Sequence, residues 1–373
     1  MCIFTKNRLL ITGFGLLFTC NWVNAQDSLR SSGTPRLHVS GYAEAYIGLD
    51  DPAPQEANRP YLFSTNRHNE FSVNVAYINV MAETERTRGC LKLGTGTYFA
   101  ANYTAEPEWA RTVLEATIGV RLMPQHKVWL DVGVLPSPFG YEGALSLDQL
   151  NLTRSLSAEN SPYYLSGARL SGRFGRVSAA LFAVNGWQNI QETNTNKSFA
   201  LQLQYTPSQT WLVNLSTYYG DLPSQADNNR RQFFSDFYVA FTPNSRFQAV
   251  GLVDVGLQQQ TPTGALTQAT WYTANLTARY WLFEKLGLGA RAEYFADADQ
   301  AVVVPQTAET YGVRAFRTAA GSLNLDWRPA PSLLLRLEGR YLFSSQGDVF
   351  LNNAGQPVAN YGMLTASLAV RLP

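Results

Sequence analysis

The chain has 373 residues, enough for one large domain or two ordinary ones. Charged residues make up 15% and aromatic residues 13%, which is little charge and much aromatic surface for a water-soluble protein of this size. A formal net charge of +1 supplies no global attraction to nucleic acid or to an acidic partner.

The N-terminus reads as an export signal. Lys6 and Arg8 form a positive n-region, Leu9 to Thr19 an apolar h-region, and Val23-Asn24-Ala25 a small-residue cleavage site, so a signal peptide over 1–25 is expected to be cut after Ala25. The apolar run is short for a membrane anchor, and Phe18 and Thr19 are larger than the residues that usually precede a lipidated cysteine such as Cys20. Removing Lys6 and Arg8 from 29 basic residues leaves 27 against 28 acidic ones, a net charge of −1 for the mature chain. Cleavage also removes Cys2 and Cys20, and Cys90 alone offers neither an intramolecular disulfide nor a cysteine metal cluster. Residues 26–35 read as a short polar lead. No later stretch reaches the roughly eighteen apolar residues of a spanning helix, but a closed β-barrel crosses a membrane without one.

Period-two alternation, the spacing of strands with two unlike faces, recurs down the mature chain. Strand one is expected near 36–48, with Leu37, Val39, Ala43, Ala45 and Ile47 opposite His38, Ser40, Tyr42, Glu44 and Tyr46. A loop over 49–69 leads to strand two near 70–83, which switches faces near Tyr77. Strand three is expected near 88–100, with Leu91, Leu93 and Phe99 against Lys92, Gly94 and Gly96. Strands four and five follow near 111–122 and 127–135; in the latter Val128, Leu130, Val132 and Val134 face away from Trp129, Asp131 and Gly133. The longest interruption is 136–160. A hairpin with a Gly175-Arg176 turn supplies strands six and seven, and Arg169 and Arg173 share one of its faces. Strands eight to sixteen are expected near 197–206, 210–220, 231–242, 246–258, 268–282, 286–296, 312–327, 332–344 and 359–372.

Turns after even-numbered strands are short, and connections after odd-numbered strands are mostly longer and more polar. Outer-membrane barrels alternate in this way between periplasmic turns and extracellular loops. The expected fold is therefore all-β: a transmembrane antiparallel up-and-down barrel over 36–373 with about 16 strands, 14–18 being compatible with the uncertain register around Gly321. A soluble sandwich or propeller would need an apolar core between sheets, yet each apolar face here is opposed by Gly, Ser, Thr, Gln or charged residues.

Two segments carry a family resemblance: Ser161 to Gly167, which reads SPYYLSG, and Phe182 to Ile190, which reads FAVNGWQNI. With Gly133 to Glu142 and Arg67 to Phe71 they resemble the OmpL-like β-barrel porins of Bacteroidetes-type outer membranes, over most of the mature chain. The resemblance implies a barrel seated in outer-membrane lipid and a pore, without naming a solute. Many outer-membrane barrels end on an aromatic residue used in assembly, whereas this chain ends on Leu372-Pro373.

A pore needs a polar lumen and a constriction. Alternation assigns the lumen Asp131, Arg169, Arg173, Asp254, Arg279, Arg291, Glu293, Arg336, Glu338 and Arg340. These charges would either set up a transverse field that orders water and favours dipolar solutes, or pair with one another and stiffen the barrel. Loop 136–160 is long enough to fold inward, where Glu142, Asp148, Arg154 and Glu159 would narrow the pore; an ordinary surface loop is the alternative. Trp129, Trp211, Trp271, Trp281 and Trp327 lie near strand ends and suit interfacial girdles.

The function expected is passive diffusion of small hydrophilic solutes, with neither cofactor nor metal. A homotrimer would need a flat apolar outer face, which sequence does not locate. Two other readings are an adhesive or structural barrel with a plugged lumen, and an outer-membrane hydrolase using His68 at the rim with Asp50 or Asp51 nearby. No nucleophile elbow, phosphate loop, zinc spacing or EF-hand pattern occurs. Asp50-Asp51 and Asp297 with Asp299 have a spacing nonspecific for calcium.

Overall fold

The computed structural model describes residues 35–194, 196–221, 230–260, 267–345 and 347–372; the expected signal peptide and most of the polar lead lie outside these residues. Sixteen antiparallel strands close into one barrel. In chain order they are β1 (Arg36–Asp51), β2 (Phe71–Glu83), β3 (Thr87–Thr95), β4 (Val113–Met123), β5 (Val128–Pro136), β6 (Tyr164–Phe174), β7 (Val177–Val184) and β8 (Ser198–Tyr205). There follow β9 (Trp211–Asp221), β10 (Arg231–Asn244), β11 (Phe247–Gln260), β12 (Thr267–Trp281), β13 (Leu286–Asp297), β14 (Phe316–Ala330) and β15 (Leu333–Ser344). A two-stranded hairpin of β16 (Phe350–Leu351) and β17 (Pro357–Val358) stands apart, and β18 (Asn360–Leu372) completes the wall. Closure is by β18 against β1, in register from Gly41 opposite Leu372 to Asp51 opposite Gly362.

The alternation that forms these strands is inverted relative to a soluble sheet. In β15, Arg336, Glu338 and Arg340 point inward and are buried, while Leu337 and Tyr341 point out and are exposed. On the outer wall Ile118 is 74% exposed, Leu323 73% and Leu276 61%. Holding such a side chain in water rather than burying it costs about 1.5–3 kcal/mol, so a continuous belt of them requires apolar surroundings, which a bilayer supplies.

One rim carries short turns and the other long loops. Side chains satisfy the backbone of the short turns: Thr84 Oγ1 accepts from Arg86 N at 3.2 Å and Thr87 N at 2.9 Å, and Asn244 Oδ1 accepts from Arg246 N at 2.9 Å and Phe247 N at 3.0 Å. Gly175 takes a left-handed φ of 63° in the β6–β7 turn.

Several expectations need correction. The third strand stops at Thr95 and residues 97–102 form a short helix, α1 (Thr97–Asn102), so Phe99 is buried inside the barrel rather than carried on the outer face. Gly96 makes the break: its φ is 130°, and a Cβ there would sit 2.3 Å from the Asn74 carbonyl oxygen. The switch of faces in β2 is a bulge at Asn74, opposite the Glu44/Ala45 step. The fourteenth strand begins at Phe316 rather than 312, and its pairing runs without interruption past Gly321. Only Trp211 and Trp327 of the five tryptophans are exposed on the outer wall; Trp129, Trp271 and Trp281 share the inward parity of Asp131 and Arg279 and are buried.

Candidate functional site

The interior is occupied on one side by loop 137–163, which leaves the long-loop rim after β5 and descends almost to the opposite rim before climbing back to β6. Its descending arm lies along β8–β10. Phe139 packs among Trp187, Tyr218 and Phe234, with ring centroids 5.2–6.5 Å apart. Pro138 O accepts from Gln202 Nε2 at 2.9 Å and Ser216 Oγ at 2.8 Å. At the tip, Leu145 and Leu147 pack with Tyr42, Tyr77 and Ala369, and Leu150 packs with Tyr238 and Leu252. The ascending arm contains a one-turn helix, α2 (Leu156–Glu159), capped by Ser155.

The polar residues of β12–β15 hold this loop by its backbone. Arg336 Nη1 donates to Asn151 O at 2.9 Å and its Nη2 to Leu150 O at 3.0 Å, while its Nε pairs with Asp326 at 2.8 Å. Arg279 Nη1 donates to Gln149 O at 3.0 Å, Arg291 Nη1 to Thr153 O at 2.6 Å and Arg340 Nη1 to Arg154 O at 2.8 Å. Carboxylates take the loop N–H groups: Glu338 accepts from Thr153 N at 2.5 Å, and Glu293 from Leu156 N at 2.6 Å. Arg291 lies 3.3 Å from Glu142, 3.2 Å from Glu293 and 3.3 Å from Glu338, and Arg340 lies 2.6 Å from Glu293. An irregular backbone inside a barrel carries the same unmet polar groups as an irregular segment in lipid, and here the wall meets them.

The sequence-derived candidates thus divide. Arg279, Arg291, Glu293, Arg336, Glu338 and Arg340 do face inward, but they grip the loop. Asp254 also faces inward, directly across from Asp236, and both are buried. Asp236 Oδ2 and Asp254 Oδ1 find no donor among the described residues, so two acceptors oppose each other unless they share a proton. Asp254→Asn supplies a permanent N–H donor and is expected to keep or raise stability at neutral pH, by about 1 kcal/mol; a clear loss in the urea unfolding midpoint would contradict the shared-proton arrangement. Arg173 lies exposed at the short-turn rim and donates to Gly175 O at 3.3 Å. Of the loop candidates, Glu142 meets Arg291 and Ser155, and Arg154 lies over the Tyr163 ring at 3.8 Å. Glu159 accepts from Phe63 N at 3.0 Å, and Asp148 pairs with Arg371 at 2.6 Å near the short-turn rim.

On the opposite side of the interior the inward cations remain partly exposed. Asp131 accepts from both Arg88, at 2.6 Å, and Arg169, at 3.0 Å, and Lys92 lies 3.2 Å from Glu115. Arg88, Lys92 and Arg169 retain 24%, 15% and 17% side-chain exposure, against 0–1% for Arg291, Arg336 and Arg340. Arg88 also lies 4.2 Å over Trp129, so this tryptophan orients a cation in the lumen. Arg88, Lys92 and Glu115 were absent from the candidates, although all three occupy inward parity on the polar faces of β3 and β4.

The long-loop end is lined by packed aromatics. Phe234, Trp271, Phe295, Phe316 and Tyr61 follow one another around the inner wall at 4.6–5.9 Å between successive ring centroids. Loop 52–70 is fastened there by Arg59, which donates to Asp50 and, at 2.8 Å, to Thr365 Oγ1; a Cβ at Gly48 would collide with its guanidinium. His68 Nδ1 meets Asp50 Oδ2 at 3.0 Å, so the carboxylate weighed for hydrolysis or calcium binding is shared with Arg59. Asp297 accepts from the backbone N–H groups of Ala301, Val302 and Val303. At the base of loop 52–70, hydrogen bonds from Arg67 and Ser72 hold the Glu70 carboxyl down to about 2.

Comparison with known proteins bears on this geometry. Structures similar in fold include OmpT, an outer-membrane protein of Vibrio cholerae, at 8% identity and TM-score 0.57, covering 91% of this chain and 98% of that one. They also include an anion-selective porin from Comamonas acidovorans at 6% identity and TM-score 0.58, covering 91% and 100%. The outer-membrane channel DcaP of Acinetobacter baumannii matches at 9% identity and TM-score 0.57, covering 92% and 100%. At such identities the likeness is one of fold. A search of curated proteins by sequence found no match. A family model described as "Putative beta-barrel porin-2, OmpL-like" matches residues 36–372, nearly the whole described chain. With its closed barrel of outer-membrane porin type, this chain belongs to the OmpL-like β-barrel porin family.

Proposed function

We propose that the protein is a non-enzymatic outer-membrane porin that lets small hydrophilic solutes diffuse along the side of the lumen left free by loop 136–160, with short turns in the periplasm and long loops outside. The observation that carries this reading is the uneven exposure of the interior: inward cations on β3–β6 stay partly exposed, while those on β12–β15 are sealed against the loop. An enzymatic role finds no support in the surroundings of His68, whose Asp50 partner is already clasped by Arg59.

The packed aromatics at the long-loop end favour a second reading, a barrel whose lumen is closed and whose role is structural or adhesive. We also propose a homotrimer joined through the outer wall from β12 to β18, where Ala278, Ala290, Ala292, Gly321, Gly339 and Gly362 form a shallow apolar depression between the protruding Leu276 and Leu323. One recording addresses all three ideas. Purified protein reconstituted in a planar bilayer is expected to give stable open steps in sets of three equal levels. Single-level steps would remove the trimer and leave the pore, and a folded protein that never conducts would favour the closed barrel.

A further inference from the structure

On the free side of the lumen, the partners in the Arg88–Asp131–Arg169 triad are not equally hidden. Asp131 is 2% exposed, whereas the two arginines that clasp it, Arg88 and Arg169, are 24% and 17% exposed. Glu115 is 11% exposed and Lys92, its partner, 15%. Asp131 lies against the wall and its two arginines lean away from it, while Lys92 and Glu115 are nearly alike in exposure. Two cations on one carboxylate also leave that triad with a net positive charge.

Nearby inward residues add to this bias. Arg121 stands 5.8 Å over Trp129 and donates to Pro124 O at 3.1 Å, and Arg173 is exposed at the short-turn rim. Among the described residues neither forms an ion pair. The remaining inward acid on these strands is Glu83, at the end of β2; Glu106 beside Tyr164 and Glu44 of β1 beside Asn74 are fully engaged in buried hydrogen bonds. On β2–β6 five cationic side chains therefore face three carboxylates, an excess of two positive charges. The loop across the passage does not cancel it: Glu142 and Glu159 turn to Arg291 and the Phe63 backbone, and Asp148 is neutralised by Arg371.

Low-dielectric walls focus such a field along a narrow passage, and rings of Arg and Lys are the usual basis of anion-conducting pores. We infer that the Arg88–Asp131–Arg169 triad and Lys92 make the passage prefer small anions, such as short carboxylates and inorganic phosphate, over cations of equal size. This inference rests on the porin reading above.

The test is the reversal potential of the wild-type porin in a planar bilayer under a potassium chloride gradient, repeated with Lys92→Gln and with the Arg88→Gln/Lys92→Gln double variant. A bias of one kT predicts a chloride-to-potassium permeability ratio of roughly three. The ratio should be larger in dilute salt, where the Debye length is longer. The double variant should bring the ratio to one or below while channels still open. A conducting wild type that prefers potassium, or a ratio unmoved by the double variant, would overturn the inference and leave the porin intact. Absence of any conductance would overturn both.

Discussion

Deletion of residues 143–157 is expected to raise single-channel conductance several-fold. Those residues form the tip and ascending arm of the loop inside the barrel, and their removal opens the space between the descending arm and β12–β15. The exposed wall would then carry Arg279, Arg291, Arg336 and Arg340 with Glu293, Glu338 and Asp326, a mixed set of charges that water can hydrate once the loop is gone. The wall strands pair only with one another, so the barrel itself should survive. Unchanged conductance in a folded deletion variant would show that the loop does not limit flow.

The second large effect is energetic. Arg336→Leu strips the guanidinium from Asp326 and from the carbonyls of Leu150 and Asn151 in one change. Removing one member of a buried ion pair costs about 3–5 kcal/mol; Asp326 keeps Arg279 at 3.7 Å and the Asn324 amide beside it, which places the loss at the lower end of that range. Urea unfolding in lipid vesicles, followed by tryptophan fluorescence, should show a loss of that order. The double variant Arg336→Leu/Asp326→Leu should recover only part of it, since replacing both members of a pair by apolar groups is often close to neutral but here also takes the carboxylate from Arg279. A loss below about 1 kcal/mol in the single variant would mean that water replaces the guanidinium at little cost, and the loop would then be a loosely held insert.

How much of this was readable from sequence follows from the range of the interactions. Strand alternation is local, so all sixteen barrel strands were expected close to where they lie. Arg291, Glu293, Arg336, Glu338 and Arg340 were assigned inward by the leucines and alanines that flank them. Their partners were not readable, because Thr153 meets Glu338 and Leu156 meets Glu293 across more than a hundred residues of chain. The inward path of loop 136–160 was therefore one of two open readings. The tryptophans were a different failure. Trp129, Trp271 and Trp281 were placed by nearness to turns, although their parity with Asp131 and Arg279 already pointed them inward. Phe99 was misplaced because a single glycine, Gly96, ended a strand that its alternation would have extended.

The grip between loop and wall also bears on how the protein is built. β5 and β6, which carry the loop, precede β12–β15 by more than ninety residues, and the first and last strands must meet to close the wall. Arg59 reaches Thr365 across 306 positions, so this fastening too waits for the end of the chain. Contacts this distant in sequence must overcome a large loop-closure entropy and make for slow assembly. The loop's carbonyls therefore need water or a chaperone until the wall curls around them, and the inner filling is completed together with the barrel rather than threaded into a finished one.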